Sequence, residues 1–256
     1  MTETDHPDAA WRPSPNFGRR YDGKTIDAIV LHYTGMGTGE QAEDWLCDPA
    51  SRVSSHYLVH EDGRVVQMVR ENDRAWHAGI GLWHGERDMN SVSVGIEIVN
   101  PGHRDWPEGA ETGPLEPFPS QQVDAVISLC RDVMERRGVA RERVVAHSDL
   151  APQRKRDPGE AFPWDALAEA GIGLMVPPRP IRGGRFLALG ERGEPVAALQ
   201  AMLTMLGFEC EPTGEFCEGT ACTVRAFQRH WRPARVDGVA DVSTIETLRA
   251  LLDESR

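Results

Sequence analysis

His32, His147 and Asp157 offer two imidazoles and one carboxylate, a donor set that suits a borderline ion such as zinc. His32 closes the apolar run Ala28-Ile29-Val30-Leu31, and His147 closes Val144-Val145-Ala146. Asp157 follows ten residues after His147 in a polar, proline-flanked loop. Three protein ligands leave one tetrahedral position open, which marks a catalytic rather than a structural zinc site. With nine histidines in the chain and no tight His-x-x-x-His pair, spacing alone equally allows surface or hydrogen-bonded histidines. Glu97 stands within the apolar stretch 92–99, where an unpaired carboxylate is costly or takes up a proton. Beside a metal it could accept a proton from water; facing solvent it is an ordinary strand residue. Lys155, two residues before Asp157, could steady an oxyanion or be a solvated loop lysine.

Other elements must bring these groups together. Residues 28–32 read as a buried strand that leads into the loop Thr34-Gly35-Met36-Gly37. Residues 54–59 and 65–69 flank Glu61-Asp62-Gly63, a hairpin signal. Along 92–99, alternation puts Val94, Ile96 and Ile98 on one face and Gly95, Glu97 and Val99 on the other. A helix is predicted from an N-cap at Ser120 to Gly138, with Val123, Val126, Ile127, Cys130 and Met134 as its stripe. Strands and helices without strict βαβ alternation predict an α/β domain over 25–175, a mixed central β-sheet flanked by helices. An extended polar arm, 1–24, precedes it. The Pro-, Arg- and Gly-rich stretch 176–184 reads as a linker. Three helical patterns follow, the second capped by Thr220, and predict a small three-helix domain over 185–256. In α/β sheets ligands sit where loops leave the strand ends, which is where His32 and His147 fall.

The 256 residues carry 40 Asp plus Glu against 28 Lys plus Arg, a net charge of −12. That balance argues against nucleic acid or an anionic membrane surface as partner. The longest stretch free of these four residue types, 195–208, falls well short of the roughly 20 apolar residues a bilayer needs. The acidic N-terminus lacks the basic and apolar regions of a secretory signal, and the five cysteines are an odd number without tight pairing. Both features predict a cytoplasmic protein; had a leader been removed beforehand, the periplasm would be expected instead.

Five motifs in order carry a family resemblance. They are Val30-Leu31-His32-Tyr33-Thr34, Ser54-Ser55-His56-Tyr57-Leu58-Val59, Ala75-Trp76-His77-Ala78-Gly79 and Ser93-Val94-Gly95-Ile96-Glu97. The fifth is Val145-Ala146-His147-Ser148-Asp149-Leu150-Ala151-Pro152-Gln153-Arg154-Lys155-Arg156-Asp157-Pro158-Gly159. Together they resemble zinc-dependent N-acetylmuramoyl-L-alanine amidases of the AmpD/AmiD type, and Gly171-Ile172-Gly173 fits the AmiD-like branch. The resemblance implies one zinc ion on His32, His147 and Asp157, with Glu97 as catalytic carboxylate and Lys155 steadying the tetrahedral intermediate. Tyr57, Trp76 and His77 are expected to line the substrate groove. Val224-Arg225-Ala226-Phe227-Gln228-Arg229 and Asp237-Gly238 resemble a peptidoglycan-binding three-helix domain, although Gly214-Glu215-Phe216-Cys217 departs from its usual Gly-aromatic-Gly turn. Cys210, Cys217 and Cys222 are expected to fill core space rather than bind metal.

The expected partners are muropeptides, with 1,6-anhydro recycling fragments preferred over the intact wall, and the chain is expected to be a monomer. A non-catalytic peptidoglycan-recognition protein is the alternative of a different class. Such relatives typically lack one zinc ligand, and this chain keeps all three. Hydrolysis of another amide also stays open.

Overall fold

Runs of β-branched and apolar residues form the inner strands of the sheet, as the alternation requires. The computed structural model describes residues 4–107, 110 and 113–255; residues 1–3 of the predicted arm and Arg256 of the predicted helical domain lie outside them. In chain order come β1 (Ala10–Trp11), β2 (Phe17–Arg19), β3 (Ala28–Tyr33), α1 (Gly39–Cys47), β4 (Tyr57–Val59), β5 (Val65–Gln67) and β6 (Asp73–Ala75). They are followed by α2 (Met89–Val92), β7 (Ser93–Ile98), α3 (Ser120–Arg137), β8 (Val144–Ala146), α4 (His147–Leu150) and α5 (Trp164–Glu169). The C-terminal part holds α6 (Glu194–Leu206), α7 (Glu218–Trp231) and α8 (Val242–Glu254).

The main sheet has the order β1-β5-β4-β7-β3-β8. Its centre is parallel, with β3 between β7 and β8 and β4 beside β7, and β5 joins β4 antiparallel as a hairpin. Ile29, Leu31, Val94, Ile96 and Ile98 bury one face under α3 and α5. On the other face, Val30 and Val145 share a core with Leu199, Val224, Phe227 and Trp231 of the helical part. The two parts are therefore joined by a common apolar core rather than tethered. No described helix is long and apolar enough to cross a membrane.

Within the first 24 residues β1 pairs with β5 and β2 with β6. Local details correct three expectations. Pro119 takes the N-cap position of α3 and Ser120 is the first helical residue, whereas Gly138 closes the helix at φ 69° as expected. Cys217, not Thr220, precedes α7, and Thr220 is buried inside the helix. Of the three C-terminal thiols only Cys210 is buried; Cys217 is exposed and Cys222 half-buried.

Candidate active site

Parallel pairing sets β3, β7 and β8 side by side, so their C-terminal ends open at one edge of the sheet. His32 lies near the end of β3, register-paired with Glu97 on β7. His147 begins the single turn α4 directly after β8, and the loop behind it returns Asp157. The three converge: Asp157 Oδ2 lies 3.0 Å from His32 Nδ1 and 2.8 Å from His147 Nδ1, and the two Nδ1 atoms are 2.9 Å apart. Among the described residues this is the group of three whose ligand atoms could hold a metal, and all three are buried.

The surrounding hydrogen bonds fix which nitrogens carry protons. His147 Nε2 faces the Ala78 carbonyl at 2.9 Å and must donate, which leaves a lone pair on Nδ1. For His32 the proton order passes through two residues. Ser93 Oγ–H donates to the Met89 carbonyl at 2.5 Å, so Ser93 Oγ accepts from His77 Nε2–H at 3.2 Å. His77 Nδ1 is then the acceptor for His32 Nε2–H at 3.1 Å, and His32 Nδ1 is left with a lone pair. Gly95 makes this relay possible, since a Cβ there would lie 2.4 Å from the His77 ring.

Charge follows the same logic. Burial and the neighbouring His147 push His32 down to about 4, and burial with the nearby imidazoles holds His77 well below the usual range. Burial alone would raise Asp157, but His147 and His32 hold its carboxyl well below the ordinary carboxylate value. Burial, then the charge of Asp157, drives Glu97 well upward against the opposing pull of Lys155. Glu97 Oε2 is buried with no hydrogen-bond partner among the described residues.

These groups line a cleft of about 450 Å³. Glu97, Lys155, Trp76 and His77 are all at its wall. Tyr57 is not. It is fully buried among the residues under α3, and its hydroxyl donates to Glu71 Oε1 at 2.6 Å. Its register partner is Ile96, not Glu97, so it faces away from the cleft. Sequence reading missed Trp45, 48% exposed, which with Val53 and Met36 forms an apolar wall. Arg154 and Arg156 join Lys155 in lining the cleft, adding a basic stretch.

The family model for N-acetylmuramoyl-L-alanine amidase matches residues 22–160, which is more than half of the chain. The chain belongs to this amidase family. A peptidoglycan binding domain model matches residues 192–248, which hold α6, α7 and most of α8. The N-acetylmuramoyl-L-alanine amidase AmiD of Escherichia coli is 38% identical over 90% of this chain and 83% of its own length. The 1,6-anhydro-N-acetylmuramyl-L-alanine amidase AmpD of the same organism is 33% identical over 59% of this chain. Among solved structures, AmiD in complex with anhydro-N-acetylmuramic acid-L-Ala-D-gamma-Glu-L-Lys covers 92% of this chain and 93% of its own, with TM-score 0.75 and 35% identity. AmpDh3 of Pseudomonas aeruginosa with anhydromuramic pentapeptide covers 100% of this chain and 99% of its own, with TM-score 0.72 and 28% identity. This amidase therefore resembles the AmiD type along both of its parts.

Proposed function

We propose that this amidase hydrolyses the amide between N-acetylmuramic acid, in its 1,6-anhydro form, and the L-alanine of the stem peptide during recycling of wall fragments. The convergence of His32 Nδ1, His147 Nδ1 and Asp157 Oδ2 beside Glu97 carries the reading. Two lone-pair nitrogens and an ionised carboxylate fit one zinc ion, which when bound supplies Lewis acidity and a nucleophile available at neutral pH. Glu97, paired in register with His32, takes the proton of the attacking water and returns it to the departing amide nitrogen. The Lys155 ammonium offsets charge on the former carbonyl oxygen. The apolar wall of Trp45 and Val53 and the basic Arg154–Arg156 side suit a ligand with a carbohydrate end and an acidic peptide end. One chain carries all of these groups, which supports action as a monomer, and soluble recycling fragments go with a cytoplasmic place of action.

The peptidoglycan binding match over 192–248 favours a second reading, trimming of the intact sacculus. Assaying anhydro-muropeptides and sacculi side by side, with product masses recorded, separates the two. Free stem peptide is expected from anhydro-muropeptides, abolished by chelation and restored by zinc. Faster release from sacculi would favour the second reading, and turnover that survives chelation would sink both.

A further inference from the structure

Residues 147–160 carry two of the three candidate ligands, His147 at the start and Asp157 near the end. Apart from the turn α4 this stretch is loop, so its shape depends on what grips it from outside. One side is held within the catalytic part, where Leu82 N–H donates to the Leu150 carbonyl at 2.9 Å and His147 Nε2–H to that of Ala78; the other gripping element is α7 of the helical part. His230 Nδ1 donates to Asp149 Oδ2 at 2.7 Å, and the same oxygen accepts Ala146 N–H at 2.8 Å, directly before His147. Both side chains are buried. The His230 ring is stacked between Trp164 and Trp231, its centroid 3.7 Å from each. Arg229, the preceding residue on α7, forms an ion pair with Glu160 at the far end of the loop, Nε to Oε2 3.5 Å. The same Glu160 oxygen meets His103 Nε2 at 3.0 Å, and His103 Nδ1 meets the hydroxyl of Tyr33, next to His32, at 3.0 Å.

We propose that Arg229 and His230 are positioning residues through which the helical module holds both ends of the metal loop, making that module a working part of the active site. This rests on the metal-ligand reading of His32, His147 and Asp157. A purely packing role for His230 would be met by any flat ring of similar size between the two tryptophans. A positioning role needs the N–H that Asp149 accepts.

His230→Phe keeps the ring and removes the donor, while His230→Gln keeps a donor and loses part of the stack. The readouts on the full chain are zinc affinity by chelator competition and, on metal-free protein, amide exchange. His230→Phe is expected to bind zinc about 10-fold more weakly, the low end of the range for a partner bonded directly to a ligand, because His230 acts through Asp149. Exchange at Ala146 and Ser148 should quicken while β3 and β7 stay protected, and His230→Gln should recover much of both. Unchanged zinc affinity with unchanged loop exchange, or equal acceleration in β3 and β7, overturns the inference. Should His230→Phe fail to fold, Arg229→Met applies the same readouts at the other end of the loop. A wild-type chain that binds no zinc contradicts the metal reading instead, and the exchange measurement still decides this one.

Discussion

Two clusters of buried charge in this protein look alike until their protons are counted. At Glu71 the fully buried carboxylate accepts from the Tyr57 hydroxyl at 2.6 Å, twice from Arg136 at 2.7 Å and from Arg137 at 2.6 Å. Around Asp157 the converging atoms are two imidazole nitrogens whose protons are committed elsewhere, to Ala78 and to His77. Both carboxyls are held below the ordinary range despite burial, Glu71 at about 2 by Arg136, Tyr57 and Arg137, and Asp157 by His147 and His32. A shifted carboxylate therefore does not by itself mark the active site. The difference lies in closure: the Glu71 cluster is complete in donors, whereas the Asp157 cluster presents lone pairs to one point, as a cation requires.

The comparison breaks most sharply at the catalytic side. Glu97→Gln is expected to lower kcat by about 100–10,000-fold, the range for a general acid–base group, with zinc still bound. Steady-state assay with metal analysis checks this, and near-normal kcat would remove Glu97 from the mechanism. On the closed side, Glu71→Ala leaves the buried Tyr57 hydroxyl without its acceptor, while Arg136 keeps Asp132 and Arg137 keeps Asn72, and should cost about 1–3 kcal/mol of stability in urea unfolding. The folded fraction should keep its zinc affinity; a loss of zinc without a loss of stability would erase the distinction drawn here.

Acid should loosen the molecule with a defined sign. His56 is fully buried, donating Nε2–H to Asp73 O at 3.1 Å and accepting Gly95 N–H at 2.9 Å on Nδ1. Burial, with Arg20 beside it, pushes its imidazole from 6.5 to about 3. Because the folded value is depressed, this stability is fully present above pH 6.5 and lost as pH falls and the unfolded chain takes up the proton. The slope is about 1.4 kcal/mol per pH unit for one histidine; in metal-free protein His32 and His77 add to it, while Glu97, drawn upward by burial, subtracts from it above about 4.5, so that the histidines outweigh the one carboxyl. Glu71 contributes only below about 4.5, as pH falls toward about 2. Urea unfolding of metal-free protein at pH 7 and pH 5 measures the histidine window, and equal stability at both would contradict it.

Much of this was legible from residue order. The runs before His32 and His147 and the alternation of 92–99 become β3, β8 and β7, because buried parallel strands need continuous or alternating apolar residues. The candidate ligands His32, His147 and Asp157, with Glu97 and Lys155, stand out in the sequence through family motifs, and all five line one cleft. The orientation of Tyr57 is not legible in the sequence, because a strand residue's face depends on its register, and the pairing of Tyr57 with Ile96 exists only in three dimensions. The role of His77 behind His32 was hidden for a similar reason: the relay depends on Gly95 and Ser93 from a separate strand. Strands as short as β1 and β2 carry no periodic signal at all, and their hydrogen-bond partners alone make them strands.

Zinc content after exhaustive dialysis is the most direct test of the contrast between the two clusters. One zinc per chain is expected for the native protein and for folded Glu71→Gln, and close to none for folded Asp157→Ala. Equal zinc in all three proteins, or none in the native one, would contradict the account.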